Sequence, residues 1–181
     1  MSYDLFEHRH RFSSWAAARA TQRGFTSASV ENLRDAIEHC GIVSFLSNED
    51  AMSTDEAIFK KKHRIWCRSI VDFLNSRKIA KVTYGRAAKL IGVYVKSMVI
   101  IGPNANSSLA SVAHPFIDRI LLKNLSCAPE IENPHWARWR SINWTELDEQ
   151  SYYDLVSQLR RCLRDGEPFW SLERFWTVTN G

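Results

Sequence analysis

The sequence predicts an all-α protein, on three observations. Apolar residues recur at helical spacing almost throughout, cap-forming residues precede most of the periodic stretches, and no alternating run is long enough for a sheet. With 181 residues, 45% of them hydrophobic, the chain is expected to form a single compact domain over residues 1–181.

The elements follow in order. Leu5 to Arg19 reads as an opening helix rich in alanine. Ser29 is placed to cap a second helix through Cys40, with Gly41 as its stop. A polar segment, Ser44 to Ser53, leads to a helix that starts at Thr54-Asp55-Glu56, runs toward Leu74 and breaks at Asn75 to Lys78. Val82 to Arg86 reads as a short turn, and Lys89 as the opening of a helix reaching about Ile101. Gly102 to Ser108 has loop composition. A helix from Asp118 to about Leu125 precedes a proline-bearing, tryptophan-rich connection, Pro129 to Trp144. Thr145-Glu146-Leu147-Asp148 has the form of a capped start for a helix to about Arg164, and Pro168 starts a last helix ending near Thr177.

Several classes are excluded. The N-terminus mixes acidic, basic and aromatic residues, and the longest apolar stretch, Leu90 to Ile101, is too short to span a bilayer and contains Lys96. A soluble cytoplasmic monomer without membrane association is expected. Cys40, Cys67, Cys127 and Cys162 are scattered with no CxxC pair, so neither a metal cluster nor another cofactor is expected, and the thiols read as reduced and mostly buried.

The net charge of +4 hides a pattern. From Lys60 to Lys96 there are eleven Lys or Arg against one acid, Asp72. From Glu130 to Asp154 the balance reverses, with Glu130, Glu132, Glu146, Asp148, Glu149 and Asp154 against Arg138 and Arg140. Unpaired like charges repel, so the first segment predicts a basic face for a polyanion such as DNA or RNA.

Two residues stand out. Lys89 heads a stretch in which only Gly92, Lys96 and Ser97 are not apolar, and Lys89, Gly92 and Lys96 fall on one stripe. An amine near apolar walls and other cations loses part of its preference for protonation, and the neutral amine is the nucleophilic form. Taken alone, such a lysine more often keeps its stem packed and its head in water. Gly92 costs helix stability, and room for something beside Lys89 is the compensation expected. Asp118 follows His114-Pro115-Phe116-Ile117 and precedes Arg119-Ile120-Leu121-Leu122, a position where a carboxylate accepts backbone N–H bonds. Alone it reads as an N-cap worth about 1 kcal/mol.

Together, Thr83-Tyr84-Gly85-Arg86-Ala87-Ala88-Lys89 and His114-Pro115-Phe116-Ile117-Asp118-Arg119 resemble the catalytic cassette of the helix-hairpin-helix DNA glycosylases. The resemblance covers about residues 75–125. It is closest to the archaeal 8-oxoguanine glycosylase branch, in which a second lysine follows seven positions on, as Lys96 follows Lys89. The whole chain is also similar to small bacterial anti-phage DNA glycosylases. The chain departs from the family in having Tyr84-Gly85 in place of a doubled glycine turn.

The resemblance implies an all-α, helix-hairpin-helix glycosylase-like bundle of two helical lobes around a DNA-binding cleft. It implies an enzyme that flips a modified base out of double-stranded DNA and cleaves its N-glycosidic bond to leave an abasic site. In the anti-phage branch the base would be a hypermodified cytosine, such as a glucosylated hydroxymethylcytosine. Asp118 and Lys89 would be catalytic, the aspartate at C1′ and the lysine as nucleophile or electrostatic aid. Lys78, Lys81, Tyr84, Gly85 and Arg86, in or beside the hairpin, would meet DNA phosphates. For the base pocket the candidates are His8, His10, Arg11, Phe12, Trp15, Lys96, Trp139 and Trp170, with Trp136 and Phe169 as further aromatics; each aromatic is more often core. The alternatives are an oxidised-purine (8-oxoguanine) repair glycosylase with lyase activity, a HEPN-like ribonuclease through Arg34 and His39 in an Arg-x4-His pattern, and a DNA-binding module without catalysis.

Overall fold

The computed structural model describes residues 3–131 and 136–177, with the backbone alone for Trp136 and Ala137. Among the described residues there are helices and no strands, as the pattern of apolar residues requires. The helices are α1 (Leu5–Gln22), α2 (Val30–His39), α3 (Ile42–Leu46), α4 (Glu56–Ser76), α5 (Tyr84–Val95), α6 (Ser108–Val112), α7 (Arg119–Leu125), α8 (Trp136–Trp139) and α9 (Glu149–Arg160).

Caps explain most boundaries. Asp4, Ser29, Asp55, Thr83 and Asp118 accept N–H bonds from the first turns of α1, α2, α4, α5 and α7. Several boundaries differ from the sequence reading, among them a short α6 that it lacks and an α9 that ends at Arg160. Gly41, at φ +85°, turns the chain but restarts it at once as α3, so the polar 44–53 segment is partly helical, with a 3-10 turn at Glu49–Ser53. Thr83 caps α5 at Tyr84, which puts Lys89 in the second turn instead of at the opening. Asp148, and not Thr145, caps α9 by accepting from Ser151 N–H at 2.8 Å; Thr145 lies in a 3-10 turn, Trp144–Glu146. The last element, Phe169–Phe175, is a 3-10 helix.

α5 is the axis of the molecule. α1, α4, the Trp144–Glu146 turn and α9 all pack on it, and Leu90, Ile91 and Tyr94 are fully buried. α1 meets it through Ser13, Ser14, Ala17 and Ala18, all buried and all small enough for close approach. At Gly85 the approach is closer still. Its N–H donates to Leu147 O at 2.9 Å, and a Cβ there would lie 2.1 Å from Trp144 O. Only glycine fits.

Between α4, α5, the 113–118 segment and α9 lies a buried polar and aromatic cluster. His63 Nδ1 is 2.9 Å from the Tyr153 hydroxyl, His114 Nδ1 is 3.1 Å from the Tyr152 hydroxyl, and the two imidazoles stand 4.6 Å apart. The Tyr84 hydroxyl donates to that of Tyr153 at 3.4 Å. Burial drives the His63 pKa down to about 3 and lowers that of His114 well below the usual histidine value. Because both folded-state values lie below the unfolded value of about 6.5, the cluster stabilises the fold fully above that pH and less as pH falls. Urea unfolding is expected to show a loss on the order of 1–2 kcal/mol per histidine between pH 7 and 5. A midpoint that does not move over this range would mean that the imidazoles ionise freely.

Candidate active site

Lys89 and Asp118 come together from the middle of α5 and the start of α7. Lys89 Nζ donates to Asp118 Oδ2 at 3.3 Å, and the two side chains are only 11% and 9% exposed. The carboxylate is fixed from both sides. Oδ1 accepts from the N–H groups of Ile120 and Leu121 at 2.9 and 3.0 Å, and Oδ2 accepts also from Trp176 Nε1 at 3.1 Å. Four donors thus converge on one carboxylate at a helix N-terminus. The amine lies 4.6 Å from the centre of the Trp144 ring. Burial lowers the Lys89 pKa, Asp118 offsets part of this, and the charge of Arg23 adds to the lowering. The result is a partly desolvated amine beside a rigid negative pole.

Gly92 sets the spacing. A Cβ on it would lie 3.1 to 3.3 Å from the Cα, Cβ and N atoms of Phe116, so the space beside Lys89 is filled by the backbone that leads into Asp118. One turn further on, Lys96 pairs with Glu173, whose other oxygen accepts from Phe116 N–H at 3.2 Å. Burial raises the Glu173 pKa. The Lys96 amine lies 4.9 Å from the Phe116 ring and 6.0 Å from that of Trp176, and the two rings meet edge to face. Past Lys96 the helix widens into a π turn, Lys96–Ile100. Two lysine–carboxylate pairs, two turns apart, are therefore linked through Phe116 and Trp176.

Outside the pair lies a basic rim. Arg119 and Arg140 line an open cleft of about 560 Å³ with Gly24, Asn143, Trp144 and Thr145. Arg23, Arg119 and Arg140 form no ion pair among the described residues.

The other candidates are dispersed. Lys78 and Lys81 project from the turn between α4 and α5, where both adopt positive φ (57° and 61°) and are exposed. Tyr84, Gly85 and Arg86 are not free to grip phosphate as expected. Tyr84 is buried in the tyrosine cluster, Gly85 is closed against Trp144, and the Arg86 guanidinium donates to Lys81 O at 2.5 Å and to Gly24 O at 3.0 Å. His10 is buried between Tyr94 (2.8 Å) and Glu38 (2.5 Å), and Trp139 is core, donating to Gln158 at 3.1 Å. Phe169 is core, and Trp170 is half-buried. His8, Arg11, Phe12 and Trp15 lie on the outer face of α1. Apart from Lys96, none of the pocket candidates makes a hydrogen bond, ion pair or ring contact with Lys89, Asp118 or Trp176. The Trp136 side chain lies outside the described residues. Of the alternative pair on α2, Arg34 is exposed, and His39 is stacked on Phe73 at 4.7 Å.

The basic segment is also less bare than its composition suggests. Arg64 and Arg68 pair with Glu149, Arg77 with Asp35, Lys89 with Asp118 and Lys96 with Glu173. Much of the surplus is met by acids from distant segments. The residues that sequence reasoning missed are Glu173, Trp176, Trp144, Arg23 and Arg119. No local signal marks the first four, because each reaches the site by tertiary packing; Arg119 follows Asp118 directly in the chain.

No family model and no solved structure matches the chain. A 58-residue segment is 36% identical to the O-methyltransferase hasC of Aspergillus fumigatus, covering 32% of this chain and 13% of that protein. So small a share of the fungal protein assigns neither family nor activity. Among the described residues no group of three or more His, Cys, Asp or Glu is arranged to hold a metal ion, and no helix is long and apolar enough to cross a membrane.

Gly92→Ala tests the packing that sets the pair. In an open helix this change stabilises by about 1 kcal/mol. Here it is expected to destabilise by about 1–3 kcal/mol in urea unfolding, because the Phe116 backbone must shift. A stabilised variant would show that the Phe116 segment is not pinned by α5.

Proposed function

We propose that the protein is a DNA glycosylase that removes a modified base from double-stranded DNA, with hypermodified phage cytosine as the substrate class. The observation that carries this reading is the Lys89–Asp118 pair, buried, capped and joined through Trp144 to a cleft lined by the unpaired Arg119 and Arg140. The sequence resemblance of the two segments adds to it. So does the turn between α4 and α5, which presents Lys78 and Lys81 to solvent.

Cleavage of an N-glycosidic bond builds positive charge at C1′ as the base departs with the bonding electron pair. Asp118 is the negative pole that stabilises this charge. In one route water adds to C1′, loses a proton and leaves an abasic site. In the other the neutral Lys89 amine forms the bond to C1′, the sugar ring opens to an imine, and β-elimination breaks the strand. The lowered pKa of Lys89 favours the second route, since a larger fraction of the amine is neutral. Of the groups packed beside the pair, the half-buried Lys96 and Trp176 are the ones an extruded base would meet first.

The test is release of bases from genomic DNA of phages that carry different modifications, read by mass spectrometry. Wild type is expected to release one modified base, and Asp118→Asn to lower the rate at least about 100-fold. Unchanged release in Asp118→Asn would remove the site assignment. Borohydride is expected to trap wild type on DNA but not Lys89→Gln, with trapping that rises with pH and half-saturates below the ordinary lysine value of about 10.4. Base release without trapping would assign the attack to water.

A further inference from the structure

Large aromatic side chains on the outside of a helix are uncommon, and α1 carries two. Phe12 is 61% and Trp15 50% exposed, with ring centroids 6.0 Å apart. With Tyr3, His8, Arg9, Arg11, Ser13 and Ser97 they line an open cleft of about 560 Å³. Rings and cations alternate here. The Arg11 guanidinium lies 5.0 Å from the Tyr3 ring, and Arg9 has no ion-pair partner among the described residues. Among the described residues, no apolar partner covers these rings.

The patch continues toward the candidate site. His8, Phe12, Trp15, Arg19 and Arg23 recur at steps of three and four residues, so they form one stripe along α1, and all five are exposed. The aromatic half lies toward the N-terminus and the arginine half toward the C-terminus. At its far end the charge of Arg23 acts on the Lys89 amine. A stripe that offers ring faces and then guanidinium groups has the chemistry of a single-stranded nucleic acid track. Bases stack on the rings, and phosphates follow the cations.

We propose that the outer face of α1 is a stacking platform for unpaired bases of the DNA strand whose modified base enters the Lys89–Asp118 site. This proposal rests on the glycosylase reading for its biological setting, but the platform is measurable without catalysis. The eight steps from Trp15 to Arg23 advance about 12 Å at 1.5 Å per residue, the length of about three to four stacked nucleotides at 3.4 Å each. The preferred substrate is therefore duplex DNA with an unpaired stretch beside the modified base.

The experiment is fluorescence anisotropy with a labelled single-stranded oligothymidine and with a matched oligomer of abasic units, which keeps the phosphates and lacks the bases. Phe12→Ala/Trp15→Ala is expected to weaken oligothymidine binding about tenfold or more, as loss of base stacking requires. It should leave abasic-oligomer binding and the thermal unfolding midpoint within error of wild type, since both rings are exposed. Arg19→Gln/Arg23→Gln should weaken both oligomers and flatten the salt dependence. Oligothymidine affinity unchanged in the aromatic double variant would overturn the proposal. So would a wild-type dimer in sedimentation velocity that the same variant dissolves, because the patch would then belong to a second copy. If base release is absent from every DNA but the aromatic variant loses oligothymidine binding, the platform stands and the glycosylase reading falls. If base release occurs and the variant binds like wild type, the reverse holds.

Discussion

The contact between Gly92 and the Phe116 backbone is the constraint on which the site depends. It lets an extended segment lie directly against α5, with no side chain between them. Two residues further on, that segment becomes the N-cap of α7, and the cap residue is Asp118. Lys89 sits one turn before Gly92 on the same stripe, so the helix geometry and the close contact together fix the charge pair. The C-terminal 3-10 element completes the arrangement by setting Glu173 on Lys96 and on Phe116 N–H, and Trp176 on Asp118.

Such a pair is a poor source of stability. Two charges taken out of water lose hydration that their mutual attraction does not fully replace, and a hydrophobic pair of the same volume often serves a fold as well. What the pair supplies is a fixed direction. The amine rests against the Trp144 face, and the carboxylate cannot turn without giving up two backbone donors. Preorganisation of this kind stabilises developing charge without reorganisation at the moment of reaction. The surrounding charge pattern acts in the same sense, because Arg119 and Arg140 line the cleft on the Trp144 side without ion pairs, while Arg64 and Arg68 of α4 are tied to Glu149.

The sequence made the helices legible because their signals are local. Ser29, Asp55 and Asp118 are cap residues ahead of apolar periods, and the structure uses all three as caps. Lys89 and Asp118 could be paired only by combining two distant segments, and the structure places their charged atoms within hydrogen-bond reach. Tyr84 and Arg86 sit differently from their sequence expectation for a physical reason. Composition marks a residue as able to meet phosphate, but burial among His63, Tyr152 and Tyr153 or bonding to two carbonyls removes that ability. Trp176 and Glu173 were invisible because nothing near them in sequence reports which surface the last turn covers. Trp139 and Trp15, similar as letters, part completely, one in the core and one in water.

The central claim is that Lys89 is a desolvated amine held by Asp118. Carbon-13 NMR of the lysine ε-methylene groups over a pH titration measures this directly. Lys89 is expected to titrate below the ordinary lysine range, and lower still in Asp118→Asn, where burial acts without the opposing carboxylate. A Lys89 resonance that titrates with the surface lysines in both proteins would contradict the account.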